Sequence, residues 1–363
     1  MLLLGAYALC AVILVLCAAG KYRLVWIPAA IIWLGLCAFR QSGGGSDLEL
    51  YTYVFRNLYD NDTLASAMEF SFGWEPSYVA LMLAAKRIGI DNPTVFLGCI
   101  ALFNFAVIAR FLVKYAENPG ISFLFYLSTY LIWQQFVLAR QSIAISLVLI
   151  AIMYLIEGKK LRALAFIALA SSFHYSAIVC LPFFALFWLT RRISLARIFV
   201  FSLVVSVGIA LSFSALPLGL VFGYLSQIRD YSSYIESGSQ NFLGFTEAVL
   251  FLLLLYRIGM NRETPTTPAE QVSFFSADFQ ARILALMLPV FAIAANFEVF
   301  NRFLEYERLI YAMAAGTILN VHRERKYAIT LALLALYCAA RFIRFYLTFD
   351  QGALQDYTIG IGQ

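Results

Sequence analysis

Apolar stretches follow one another along almost the whole chain, at about residues 2–18, 24–39, 94–113, 121–138, 142–156, 161–173, 175–190, 195–213, 245–260, 281–297, 303–320 and 327–347. A helix of about 20 apolar residues crosses a bilayer. Backbone groups in hydrocarbon must bond within their own segment, which a helix achieves. Of the 363 residues, 62% are hydrophobic and 13% are charged, where a soluble domain carries about 25% charged residues. The expectation is an all-α polytopic integral membrane protein, one membrane domain over 1–363 with about twelve helical segments.

The segments from 161 to 190 are too short for two full spans, and Ser171, Ser172, His174, Tyr175 and Ser176 lie between them. They read as a helical hairpin whose tip stops within a cavity. The first run has no basic leader and no small-residue cleavage site before a soluble domain, so it reads as a retained span. The six cysteines fall in apolar runs without metal-ligand spacing and read as small buried residues. The net charge of +5 is scattered over short loops and forms no stripe that would suit nucleic acid.

Basic residues near span ends orient the set. Fourteen, among them Lys21, Lys114, Lys159, Arg192 and Lys326, share one side, against eight on the other, among them Arg40, Arg56, Arg140, Arg302 and Arg308. The richer side is cytoplasmic, and both termini then face outward. Two outer loops are long, 40–93 and 214–244. The first contains a glycine-rich break, a Tyr-rich segment and the stretch 76–90, read as a helix at the outer interface; if that stretch spans instead, the amino terminus moves inside. The tyrosines of the outer loops fit either an aromatic belt at headgroup level or sugar stacking. Residues 261–278 read as a linker, and no internal repeat is evident.

Ionisable groups beside hydrocarbon are costly, and four places hold them. Arg140-Gln141 sits at the outer junction of two spans, where an anchoring role would explain the arginine but not the glutamine. His174 lies in a polar pocket at the hairpin tip and can exchange a proton, although a hydrogen-bonded structural histidine fits as well. Glu298, Arg302, Glu305, Glu307 and Arg308 form a third group, either self-neutralising pairs at helical spacing or arginines with donors left for phosphate oxygens. Arg341 and Arg344 read as interface anchors near the end of the last span.

No serine-protease motif, zinc motif, P-loop or dinucleotide loop is present. A site facing outward has no ATP, so polymer synthesis there needs a preactivated substrate, and lipid-diphosphate sugars meet that need.

The chain resembles the EpsG-like and Wzy-type bacterial polysaccharide polymerases. The resemblance rests on Asp47 with Tyr51, Trp74-Glu75-Pro76 with Tyr78, Arg140-Gln141-Ser-Ile-Ala144, Ala170-Ser-Ser-Phe-His174-Tyr-Ser176-Ala177, and Arg302 to Tyr306 with Arg308. It implies a GT-C-like glycosyltransferase of the bacterial inner membrane. Such an enzyme joins oligosaccharide repeat units carried on undecaprenyl diphosphate at the periplasmic face; the residues present require no metal, and no cofactor is expected. Membrane lipids and a chain-length regulator are the other partners implied.

By the same resemblance Arg140, Arg302 and Arg308 bind the diphosphate, and His174, Glu75 or Asp47 serves as base. Gln141, Tyr51, Tyr231 and Tyr234 contact glycan. A ligase moving a finished glycan, a lipid-linked sugar transporter and a membrane acyltransferase are the alternatives at this level.

Overall fold

The computed structural model describes residues 1–20, 26–40, 45–190, 192–213, 243–260, 268–295, 300–321 and 324–359. Among them every extended element is helical, apart from one isolated antiparallel bridge between Arg40 and Ile359. Four helices have the length and composition to cross a membrane: Leu2–Gly20, Pro93–Tyr115, Ala139–Ile156 and Lys326–Thr348. Large apolar side chains such as Leu9, Val12 and Leu16, and Leu333 and Leu336, stay exposed on the first and last of these helices. Water would penalise such faces and lipid would not. The chain is an all-α membrane protein.

It divides into two compact units, Met1–Ile178 with Leu319–Gln363, and Val179–Ile318. The first unit contains α1 (Leu2–Gly20), α2 (Trp26–Ala38), α3 (Gly45–Asn57), α4 (Leu64–Phe70), α5 (Pro76–Arg87), α6 (Pro93–Tyr115), α7 (Pro119–Tyr126), α8 (Ala139–Ile156) and α9 (Lys160–Phe173). Three of these helices start on an X-Pro step, where proline at the first helical position loses no needed donor. Asn92 and Asn118 complete two of the starts, their side chains accepting from the N–H of Thr94 and of Ile121. Glu75, before Pro76, makes no side-chain cap bond and its carboxylate points elsewhere.

The run 121–138 is helical, but α7 gives way to wide π-helical turns over Leu127–Leu131 and Trp133–Val137. Leu138 leaves helical geometry, with φ −96° and ψ 47°, so α8 begins anew at Ala139. Such π turns concentrate at functional sites. Here they place Arg140 in the first turn of α8, the most enclosed of the four long apolar helices.

Beneath Arg140 the core is polar. The Asn104 amide donates to Gln135 Oε1 at 3.1 Å and to Ser142 Oγ at 2.9 Å, and its carbonyl accepts from Ser146 Oγ at 2.7 Å. These bonds tie α6, the π turns and α8 together.

Gly158, with φ +76°, ends α8 in the left-handed region that glycine adopts without penalty. The chain then reverses into α9, which packs along α8. The start of α8 and the end of α9 therefore lie at one end of the unit. Glu157 marks the opposite end, paired with Lys114 at 2.8 Å and Lys159 at 2.7 Å.

The 3-10 turn Tyr175–Val179 lies in the first unit up to Ile178, and the second unit contains α10 (Cys180–Thr190), α11 (Leu195–Phe213), α12 (Leu243–Met260), α13 (Pro268–Ala294), the short α14 (Asn301–Leu304) and most of α15 (Arg308–Val321). The long α13 packs against α10, α11 and α12. Buried Arg282 donates to the carbonyls of Thr190 and Ile193, both at 2.8 Å, and to Asp278 at 2.6 Å. It closes the C-terminal end of α10, where a cation favours the helix dipole. Helix α16 (Glu324–Thr348) and a 3-10 segment, Phe349–Asp356, return the chain to the first unit.

Three readings need correction. Residues 268–278 are the first three turns of α13 rather than linker, because polar residues at a helix start give no hydrophobic signal. The first long loop, 40–93, holds two further helices: α3, which carries Tyr51 and Tyr53 and packs on α6, and α4, which packs on α5. The run 303–320 is interrupted at Glu305–Glu307, where three consecutive polar-tipped residues form a turn between α14 and α15. Of the cysteines, Cys99 is exposed and the other five are buried.

Candidate functional site

Helix α5 starts against the end of α9, and Ser77 Oγ donates to Ser172 Oγ at 2.7 Å across that junction. Glu75 is thereby brought between the two ends that carry Arg140 and His174. Its Oε1 lies 2.7 Å from His174 Nδ1, and its Oε2 accepts from Arg140 Nη1. Glu75 is 2% exposed and His174 is 8% exposed. Burial on its own would raise the Glu75 carboxyl, but the His174 hydrogen bond and then the Arg140 charge outweigh it and hold the group at about 2. Glu75 is an anion at neutral pH, so Nδ1 carries the proton of this bond.

His174 is the C-cap of α9, with extended backbone at φ −158° and ψ 116°. Its N–H still bonds the Ala170 carbonyl, and its own carbonyl accepts from the N–H of Ala177. The ring is thus anchored through the backbone on both sides. With Nδ1 directed to Glu75, Nε2 is the nitrogen able to take a proton in the neutral ring.

Aromatic rings set the arginine. The Arg140 guanidinium lies 4.8 Å over the Trp74 ring, and its Nε donates to the Tyr51 hydroxyl at 3.4 Å. Tyr51, Trp74 and Tyr78 pack on one another with centroids 5.1, 5.8 and 6.0 Å apart. Neither polar bond of Arg140 uses Nη2. The result is a cation fixed in direction by a carboxylate and a ring face, with a donor left for a ligand.

Of the residues singled out in the sequence, Glu75, Arg140, His174 and Tyr51 meet here. Gln141 is buried beside Arg140, and Asp47 is half-buried in the first turn of α3, one helical turn before Tyr51. Arg302, on α14, and Arg308, opening α15, belong to the second unit. There Arg308 Nε donates to Glu305 at 3.3 Å and its guanidinium lies 5.8 Å from the Phe291 ring. Of the two anchoring arginines, Arg344 is exposed and Arg341 lies over Tyr337 at 5.8 Å. Tyr231, Tyr234, Glu298 and all of the loop 214–244 except its last two residues lie outside the described residues. Among the described residues no group of three or more His, Cys, Asp or Glu side chains could hold a metal ion.

Trp74 and Tyr78 were visible in the sequence only as neighbours of Glu75, and their ring contacts come from the turn into α5. Arg40 had one signal, a lone cation closing an apolar run.

No curated protein and no solved structure matches the chain. The family model of the EpsG family matches it over residues 23–359. That span takes in every member of the Glu75 cluster and both helices that close it, and the chain belongs to the EpsG family.

Proposed function

We propose that this protein polymerises oligosaccharide repeat units carried on undecaprenyl diphosphate, with its site facing the periplasm from the bacterial inner membrane and a GT-C-like arrangement of about twelve spans. The observation that carries the reading is the Glu75 carboxylate shared by Arg140 and His174. Family membership supports a polysaccharide polymerase-type role, and the excess of basic residues at the opposite helix ends supports the outward side.

In this reading His174 is the base and Glu75 its orienting partner, so the two carry successive links of one chain rather than competing. Nε2 takes the proton of the acceptor hydroxyl as that oxygen bonds to the donor's anomeric carbon. The bond from that carbon to the diphosphate oxygen breaks, and its electron pair leaves with undecaprenyl diphosphate. Glu75 stabilises the imidazolium that results. Arg140 meets the charge growing on the leaving group through Nη2, an electrostatic role that fixed donors fill best.

Arg302 and Arg308, both of the second unit, are carried over as diphosphate-binding candidates from the family resemblance alone, and Arg308 also pairs with Glu305. Tyr51, enclosed by Trp74 and Tyr78, is assigned to orienting Arg140, and glycan contact to Gln141, Tyr231 and Tyr234. Asp47 is left as a modulator of Tyr51, one turn along α3.

The test is in vitro polymerisation from lipid-linked repeat units. Arg140→Ala and His174→Ala proteins that insert and fold should make no polymer, and full activity in both would remove the assignment. A cysteine at position 174 should react with an impermeant thiol reagent from the periplasmic side. Product of unchanged chain length on a new acceptor would instead mark a ligase.

A further inference from the structure

The Glu75 carboxylate neutralises Arg140, but a second guanidinium nearby has no such partner. Arg40 stands just past the end of α2 and is 3% exposed. Its Nη1 donates to the Cys37 carbonyl at 2.8 Å, and its guanidinium lies 5.2 Å over the Phe136 ring. Its Nε has no acceptor, and among the described residues no carboxylate forms an ion pair with it. Its electrostatic neighbours are Cys37 and three tyrosines, Tyr357, Tyr78 and Tyr51.

Tyr78 is wholly buried and its hydroxyl has no hydrogen-bond partner either. It stands within electrostatic reach of Arg40, Arg140 and Glu75 together. The carboxyl-terminal segment walls this region. Tyr357 donates to the Leu36 carbonyl and stacks on Phe136 at 5.5 Å, and Ile359 bridges to Arg40.

Helix capping explains one of these features. The Nη1 bond to Cys37 is what a cation at a helix C-terminus does, yet it accounts for neither the unmatched charge nor the two orphan donors. Buried polar groups without partners are rare, and an absent ion is one of the few explanations. A lone buried cation is costly until an anion joins it.

We propose that Arg40 and Tyr78 form an anion subsite for a phosphate group, next to the Glu75–Arg140–His174 cluster. A phosphoryl group presents several acceptor oxygens at once, and the planar fork of arginine pairs with two of them. The polymerase reading enters only in naming the source, a lipid-linked diphosphate; free diphosphate has the same chemistry.

The test measures melting temperature of the full-length protein in detergent against inorganic pyrophosphate at constant ionic strength. A bound ligand raises the melting temperature by mass action. Wild type should show a saturable rise. Arg40→Met should abolish that rise while melting no lower than wild type, because it removes a buried charge that has no counter-ion. Tyr78→Phe, which deletes only the orphan hydroxyl, should weaken the half-saturating concentration roughly three-fold or more, and it carries the test if Arg40→Met does not fold.

A second arm uses undecaprenyl diphosphate in lipid nanodiscs: half-saturation at least ten-fold below that of pyrophosphate assigns the site to the lipid-linked donor, and equal potency assigns it to the free anion. No rise in wild type, or an Arg40→Met protein that melts lower and responds like wild type, overturns the subsite and leaves a structural cap. Because the readout is binding, a chain that takes pyrophosphate but makes no polymer keeps the subsite and sinks the polymerase reading.

Discussion

His174 Nδ1 and Glu75 Oε1, 99 residues apart in the chain, lie 2.7 Å from each other. The same carboxylate's other oxygen accepts from Arg140. One buried anion thus sets the direction of a base and the charge balance of a cation, and changes at Glu75 act on both.

Removing that anion strands two groups. Glu75→Ala leaves Arg140 partly buried without its partner, and breaking such a pair costs about 3 kcal/mol. Thermal melts in detergent should show this loss, and the Glu75→Ala/Arg140→Ala double variant should be more stable than the sum of the single changes predicts.

Acid should act through the same group. The Glu75 carboxyl is lowered from an ordinary 4.5 to about 2, so folding favours its ionised form. Its contribution is fully present above the unfolded value and is lost as pH falls from 4.5 toward 2. Melting temperatures of wild type and Glu75→Gln should differ above about pH 4.5 and converge as pH falls from 4.5 toward 2.

The two aromatic supports of Arg140 are unequal. The Tyr51 bond is long at 3.4 Å, and a hydrogen bond of that length is weak, so Tyr51→Phe should change donor affinity by less than about three-fold. Trp74 offers a ring face at 4.8 Å, worth about 1–2 kcal/mol when desolvated. Trp74→Ala should raise the KM for the lipid-linked donor by about ten-fold; steady-state kinetics with purified donor separates the two.

Beneath the site, Asn104 satisfies Gln135, Ser142 and Ser146 at once. Asn104→Leu takes this partner from Gln135 and Ser146, while Ser142 keeps its bond to the Ala139 carbonyl, and should cost about 1–2 kcal/mol, the range for interhelical hydrogen bonds in membranes. Chemical-denaturant unfolding in mixed micelles measures it, and Ser146→Ala alone should cost less.

The helical class and the apolar runs were legible because composition and span length act locally. Arg140 and His174 stood out for the same reason, as ionisable groups where hydrocarbon is near. Their meeting point was not legible. It depends on Gly158 turning α9 back along α8, and on α5 beginning at a glutamate whose side chain leaves its own helix unsatisfied to reach across.

Other features were hidden by similar non-local causes. Nothing in Leu127–Val137 distinguishes π turns from ordinary helix, and the burial of Arg40 depends on a segment over 300 residues later, at Tyr357. Glu75 and His174 were set against each other as bases, since a sequence cannot show that one holds the other.

Chemical rescue tests the central claim most directly. Imidazole added to a His174→Ala protein polymerising purified lipid-linked repeat units should restore a measurable part of an activity that the substitution lowers by about 10²-fold or more, while Arg140→Ala should gain nothing from imidazole. Undiminished polymer synthesis by His174→Ala without imidazole would contradict the account.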